Sequence, residues 1–236
     1  MRRSKRWVSV STLTITLVVV VGLSLCSITL AQEKPWMTLN QEAHQLYQQG
    51  KHQEGVKVAK EALSVAEKIF GTDSPVAAIS LNILAELYHQ QGQYALADPL
   101  YKRSLAIREE TLGPNHRHVA ESLNNLAALY YNQGQHALAE PLYKRSLAIR
   151  EETLGPDHPA VGVSLNNLGN LYSKQGQFDK AEPLYKRSLG IMEKTVPNHP
   201  NVAATLENMA DLYTKTGRED EAKKLLARAK QIRASQ

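Results

Sequence analysis

The chain repeats one stretch of sequence at a fixed spacing. Residues 139–159 read AEPLYKRSLAIREETLGPDHP, and nearly the same words stand 42 residues earlier, at 97–117. A third, looser copy occupies residues 181–200. A repeat of this length is typical of a solenoid, because a single unit cannot bury its apolar face without packing against the next one.

Each copy contains two segments with helical periodicity. In residues 161–175, Leu165, Leu168 and Tyr172 lie at i, i+3 and i+7, which is one face of an α-helix. Gly176 follows and favours a helix end, because glycine tolerates a positive φ. A second segment with the same periodicity comes next. Each unit is therefore predicted to be a helix, a turn and a second helix.

The turn glycines count these units. Five glycines recur at spacings of 42, 42, 42 and 41 residues: Gly50, Gly92, Gly134, Gly176 and Gly217. The array is predicted to occupy residues 32–236. Its five units are residues 36–73, 74–115, 116–157, 158–198 and 199–236, approximately.

Small and large residues recur at fixed places in the units. The small residues stand where helices must approach closely: Ala85, Ala127, Gly169, Ala210, Ala97, Ala139 and Ala181. The large residues stand where they can fill the groove between helices: Tyr88, Tyr130, Tyr172, Tyr213, Tyr101, Tyr143 and Tyr185. This pattern resembles the tetratricopeptide repeat. The period of 42 residues, with the words LNNLA and GPDHP, resembles the variant found in kinesin light chains and many bacterial proteins. The resemblance implies an all-α, right-handed α-solenoid that binds protein segments in a concave groove.

The first 31 residues differ from the array. Basic residues occupy positions 2, 3, 5 and 6, and residues 7–32 carry no charge. We interpret residues 1–31 as a signal peptide cleaved after Ala31. An uncleaved membrane anchor and a lipoprotein attached at Cys26 are the alternatives. In each case the array is expected to be exported to the bacterial periplasm or extracytoplasmic face, with membrane contact only through residues 7–31 if they are retained.

Charge and cysteine content exclude several classes of function. The whole chain has a net charge of +5, but removing the leader leaves 24 basic and 23 acidic side chains, a net of +1. A nucleic-acid partner is therefore not expected. The only cysteine, Cys26, lies in the leader, so the array has no thiol or disulfide.

No set of residues indicates catalysis. His116, His158 and His199 recur at the repeat period, but each lies in a different loop and they cannot share one metal ion. Their place before a helix favours a role at the helix start. No phosphate-binding glycine loop, metalloprotease helix or nucleophile elbow occurs in the sequence. We therefore predict no enzymatic activity, no metal and no cofactor.

The candidate binding site is the face of each first helix that lies opposite the packing stripe. In this fold that face lines the concave groove. We assign to it Asn82, Glu86, Asn124, Tyr131, Asn166, Asn170, Lys174 and Asp211. Asparagine disfavours helix interiors, so its repeated use needs a reason.

Two explanations for these asparagines remain open. Their amides could grip the backbone of a bound peptide, since each offers a donor and an acceptor. They could instead bond a neighbouring helix and stiffen the stack. Peptide binding is favoured for Asn124 and Asn166. Asn125, Asn167 and Asn208 are expected to turn further toward the next helix.

The charges of this face limit the partner. Its cations are Lys174 and Lys215, and they are outnumbered by acidic residues, namely Glu86, Glu121, Glu207 and Asp211. A clamp for a peptide carboxylate is therefore not expected, and the predicted partner is a protein or peptide segment that is neutral to mildly basic. The alternative function is a structural or assembly subunit that uses the ends or convex face of the array.

Overall fold

The computed structural model describes residues 34–235, which form ten α-helices in five antiparallel pairs. The helices are α1 Trp36–Gln48, α2 His52–Phe70, α3 Pro75–Gln90, α4 Tyr94–Leu112, α5 Arg117–Asn132, α6 His136–Leu154, α7 Pro159–Lys174, α8 Phe178–Thr195, α9 Pro200–Lys215 and α10 Glu219–Ala234. This part of the chain contains no strand. The predicted all-α repeat array is therefore confirmed. The leader, including Cys26, lies outside the described residues.

The loops between pairs place an N-cap residue at the start of each following helix. The Nδ1 atoms of His116, His158 and His199 each accept a hydrogen bond from the backbone N–H two residues later, at 3.1 to 3.2 Å. Ser74 caps α3 with its hydroxyl oxygen, which accepts from the N–H of Ala77 at 3.1 Å. These caps satisfy amides that would otherwise have no partner. The prediction that the histidines mark helix starts is confirmed.

The turn within each pair depends on a glycine with positive φ. Gly92 has a φ of 70°, and the following Gln93 donates its N–H to the carbonyl of Tyr88 at 2.9 Å. A side chain would strain this conformation. The same turn recurs in the other four units, where the turn glycine has a φ of 71° to 77°.

Two helices of one pair pack through a small residue and a tyrosine. Tyr101 in α4 is 1% exposed and Ala85 in α3 is fully buried. Beside them, Ser104 donates its hydroxyl to the carbonyl of Ala78 at 2.8 Å. Ser146 and Ser188 make the same bond in the next two units, at 2.7 Å each. The copied serine therefore pins the second helix to the first.

Neighbouring pairs are joined by another set of copied contacts. The Tyr130 hydroxyl donates to Asp98 of the preceding unit at 3.0 Å. Arg103 and Arg145 each form an ion pair with a glutamate one unit earlier, Glu67 and Glu109. The repeated sequence segments thus contain the residues that join one unit to the next.

The array has an inner and an outer side. The backbones of successive first helices, α1, α3, α5, α7 and α9, approach one another. Those of successive second helices lie farther apart and are joined by side-chain ion pairs such as Arg103–Glu67. We therefore call the first helices the inner helices and the second helices the outer helices. No helix in this range has the length and apolar character needed to cross a bilayer.

Candidate functional site

The predicted site residues all lie on the inner helices. Six of the eight line one of two clefts, whereas Asn124 and Asn166 line neither. The N-terminal cleft spans α1, α3, α4 and α5, and has a volume of about 490 Å³. The C-terminal cleft involves α5, α7, α8 and α9, and is smaller, at about 180 Å³. Of the predicted residues, Asn82 and Glu86 line the first cleft, and Tyr131, Asn170, Lys174 and Asp211 line the second.

The N-terminal cleft is largely apolar. Its lining comprises His44, Pro75, Ile79, Asn82, Ile83, Glu86, Arg108, Leu112, His118 and Glu121. Ile79 is 39% exposed and Leu112 is 36% exposed. Isolated exposed aliphatic residues are common on protein surfaces. Here, however, they share one concave cleft, which is the usual setting of a binding site.

Glu86 lies in this cleft with one oxygen bonded and the other unpaired. Its Oε1 accepts hydrogen bonds from the amide nitrogens of Asn82 and Asn125, both at 2.8 Å. Its Oε2 has no partner among residues 34–235. The carboxylate is therefore held in position by two amides while keeping one acceptor available to a ligand.

The surroundings of Glu86 make its ionisation unfavourable. Burial raises the pKa of Glu86 to about 7, and the nearby charge of Glu121 adds to the increase. The hydrogen bonds from Asn82 and Asn125 and the charge of Arg108 act in the opposite direction. The net result is a carboxyl group that exchanges its proton near neutral pH.

Arg108 closes the floor of the cleft with its charge already satisfied. It is 5% exposed, and its Nη1 donates to the carbonyl of His118 and to the hydroxyl of Ser122, at 2.9 Å each. The same nitrogen forms an ion pair with Glu121 at 3.2 Å. Arg108 therefore supports α5 and cannot serve as a ready anion site.

The sequence analysis did not identify the apolar part of this cleft. Alignment of the repeat copies could have revealed it, because Ile83 stands where the next three units have Asn125, Asn167 and Asn208. Ile79 stands where the next unit has Glu121. The second unit thus has isoleucine at one position where the next three units have asparagine, and at another where the third unit has glutamate.

The C-terminal cleft is polar. The Tyr185 hydroxyl donates to Asn170 Oδ1 at 2.7 Å, and Lys215 pairs with Asp211 at 2.6 Å. Lys174 is exposed and forms no ion pair within the described residues. Tyr131 completes the lining beside it. This cleft offers hydrogen bonds and one unpaired cation, with little apolar surface.

A glycine underlies the position of Tyr185. Gly169 stands where the other units carry Ala85, Ala127 and Ala210. A Cβ added at Gly169 would lie 2.8 Å from the Tyr185 ring, which is closer than carbon atoms approach. The missing methyl group lets this ring pack against α7 while its hydroxyl reaches Asn170.

The remaining asparagines bond between inner helices. Asn167 donates to Asn124 Oδ1 at 2.9 Å, and Asn208 donates to Asn166 Oδ1 at 3.1 Å. As expected, these amides bond to an adjacent inner helix, but both bonds reach the preceding helix and not the next one. A side chain on an inner helix leans over its neighbour, and only the relative placement of the two helices decides which neighbour it meets.

These bonds bear on the two explanations for the asparagines. The side-chain oxygens of Asn124 and Asn166 are engaged by the stack, as the second explanation expects. The amide nitrogen of Asn166 bonds to no described residue and remains able to donate.

Within residues 34–235, no group of three or more potential ligands could hold a metal ion.

Comparison with known proteins places this arrangement in a family. The tetratricopeptide repeat model matches residues 37–110, 78–149 and 118–194, and a second tetratricopeptide repeat model matches residues 172–235. No curated protein matches the chain.

Solved structures give the same fold. A kinesin-light-chain-type protein of Podosopora anserina with nearly identical TPR-like repeats is 28% identical, with a TM-score of 0.68, over 86% of this chain and 98% of that one. BtubC (BKLC) from P. vanneervenii is 26% identical, with a TM-score of 0.69, over 82% of this chain and 77% of that one. YrrB, a TPR protein with an unusual peptide-binding site, is 16% identical, with a TM-score of 0.50, over 88% and 91% of the two chains, and shows the fold alone.

Proposed function

Because this chain belongs to the tetratricopeptide repeat family, we propose that it is a non-catalytic protein–protein interaction module whose inner face binds a segment of a partner. The observation that carries this proposal is the set of inner-face groups that the stack does not use. They are the exposed Ile79, the unpaired oxygen of Glu86 and the unpaired ammonium of Lys174. The outer side supports it by contrast, because its copied charges are engaged in ion pairs between units.

The proposed partner segment is neutral to mildly basic. In the N-terminal cleft the charge of Arg108 is paired with Glu121, and its Nη1 also donates to the carbonyl of His118 and the hydroxyl of Ser122. In the C-terminal cleft Lys215 is neutralised by Asp211, which leaves Lys174 as its unpaired cation among the described residues. A carboxylate clamp normally needs several converging donors, so an acidic tail fits this face poorly.

Site-specific photocrosslinking in cells that express the chain tests the proposal. A photoreactive phenylalanine replaces Tyr131 on the inner face, and the matched control replaces the exposed Ala148 on outer helix α6. We expect crosslinks to a partner polypeptide from position 131 and none from position 148. The same partner captured only from position 148 would mean that the inner face is not the binding surface.

One observation favours a second candidate function, a structural or assembly subunit that uses an end of the array. Met37, Ile69 and Phe70 in the first unit are 69%, 52% and 50% exposed, so the N-terminal end carries apolar surface. Light scattering of the purified chain separates the two functions. A mass that rises with concentration, and falls after Phe70→Ser, supports assembly through this end.

We also propose that the array works outside the cytoplasm, as the order of basic, uncharged and small residues in the leader favours. N-terminal sequencing of protein from the native membrane fraction tests this. A chain beginning near Gln32 supports a cleaved signal peptide. An intact Met1 in a carbonate-resistant pellet supports the anchor.

A further inference from the structure

We propose that the N-terminal cleft binds an extended basic segment in which a large apolar side chain and a lysine or arginine stand two positions apart. This inference rests on the proposed function, since it names the chemistry of the segment that the inner face takes. It assigns the apolar side chain to Ile79, Ile83 and Leu112, and the cation to Oε2 of Glu86.

The apolar half of the argument comes from the copies. Ile83 stands where three other inner helices carry asparagine, and the helix pairs of those units pack in the same way without it. The core therefore does not require an aliphatic residue at this position. Ile79 and Leu112 are left partly exposed beside it, in a cleft of about 490 Å³. A ligand that covers this apolar patch lowers the free energy by removing its surface from water.

The charged half comes from the pairing of the lining residues. Glu121 forms an ion pair with Arg108 at 3.2 Å, so the charge of this carboxylate is already compensated. Glu86 is the acidic group of the lining that forms no ion pair within residues 34–235. Two amides fix its carboxylate, and the unpaired oxygen can accept from an ammonium or guanidinium.

The spacing follows from helix and strand geometry. The midpoint between Ile79 and Ile83 lies five residues before Glu86, which is a rise of about 7.5 Å along α3. Two residues of extended chain span about 6.6 Å, and side chains at i and i+2 point to the same side. One extended segment can therefore place an apolar side chain over the isoleucines and a cation at Glu86.

Several titratable groups face Glu86 from the elements packed around it. His44 and Tyr47 belong to α1, Tyr101 and Arg108 to α4, and His118 and Glu121 to α5. Protonated histidines would also repel a cationic segment at low pH. A pH effect on binding therefore identifies Glu86 only through its difference between the native chain and Glu86→Gln.

The test is a display selection followed by affinity measurements. Random dodecapeptides are selected on the full chain held in mild detergent, with no assumed motif. We expect enrichment of an apolar residue and a lysine or arginine two positions apart. The dissociation constant of the best peptide should rise about tenfold for Glu86→Gln, as for loss of a charged hydrogen bond. For the native chain, but less for the variant, it should also rise from pH 8 to pH 6.

Matched variants separate this effect from general damage. Glu152 is exposed on outer helix α6 and lines neither cleft, so Glu152→Gln should leave the affinity within twofold. Ile83→Asn installs the residue of the other units and should weaken binding at least fivefold without lowering helicity.

The outcomes for this inference and for the proposed function are distinct. Selected peptides of another pattern that still compete for the inner face would overturn this inference and leave the proposed function standing. Peptides whose binding no inner-face variant changes would overturn both.

Discussion

The two clefts of the inner face occupy the same scaffold and differ in what they expose. Both are framed by inner helices that share a buried stripe, a turn glycine and a tyrosine beneath. The N-terminal cleft exposes Ile79 and Ile83, whereas the C-terminal cleft exposes Asn170, Lys174 and Asp211. The repeat therefore fixes the frame and leaves the inner surface open to change one unit at a time.

The difference lies in which positions the packing constrains. Residues that join copies, such as Ser104 and Ser146, recur because each makes the same contact. At the position of Glu86 the next three units carry Ala128, Asn170 and Asp211, so the stack requires no single residue type there. Variation at such positions changes what a cleft can bind and leaves the fold intact.

The largest expected effect tests whether the buried cores beneath the two clefts are equally stable. Tyr101→Ala and Tyr185→Ala should each lower the free energy of unfolding by about 3–5 kcal/mol, because each opens a cavity at a residue that is 1% exposed. Urea unfolding followed by circular dichroism measures both. A loss below 1 kcal/mol for one of them would show that the two halves do not share an equivalent core.

The next effect separates the clefts by pH. The pKa of Glu86 rises from 4.5 to about 7 on folding, so folding favours its protonated form. Its effect on stability is therefore absent below pH 4.5. Between pH 4.5 and about 7 it becomes unfavourable, and above pH 7 it reaches a constant cost of about 3 kcal/mol.

Glu86→Gln removes this cost. The variant should match the native chain at pH 4 and become more stable than it by up to about 3 kcal/mol at pH 8. Asp211→Asn in the other cleft should change stability by less than about 0.5 kcal/mol, because its partner Lys215 is exposed. A constant difference between the native chain and Glu86→Gln across this range would contradict the burial of Glu86.

A smaller effect tests whether Gly169 allows the Tyr185 hydroxyl to reach Asn170 in the C-terminal cleft. Gly169→Ala places a methyl group against the Tyr185 ring, at a cost of about 1–3 kcal/mol, partly offset by about 1 kcal/mol of helix propensity. The net loss should be about 1 kcal/mol. In the crystal structure of the variant, the Tyr185 hydroxyl should move away from Asn170. The reverse change, Ala127→Gly, should cost about 1 kcal/mol without moving Tyr143.

The smallest effect concerns the asparagines between the clefts. Asn124→Ala with Asn166→Ala removes two hydrogen bonds between inner helices, each worth about 1 kcal/mol, while alanine recovers about 0.5 kcal/mol per site in helix propensity. The net loss of unfolding free energy should be about 1 kcal/mol in urea. Unchanged stability with an affinity for the partner about tenfold lower would instead assign these amides to binding.

Much of the candidate site could be read from the helical offsets. The position that gave Glu86, Asn170 and Asp211 lies on the inner face because side chains repeat every 3.6 residues along a helix. Ile79 and Ile83 were missed because an apolar residue in an apolar-rich helix is expected to be buried. Only the three-dimensional arrangement shows Ile79 to be 39% exposed.

The sequence alone determined the repeat, its helix pairs and the residues that join them, because these contacts recur at the repeat period and are copied with every unit. The tertiary structure decided which amide meets which neighbour, how far Glu86 is desolvated, and that one cleft is apolar and the other polar. These properties depend on the angle and separation between successive helix pairs. Each cleft is lined by residues from three units. Each copy specifies its own helices, and only the stack determines the surface between them.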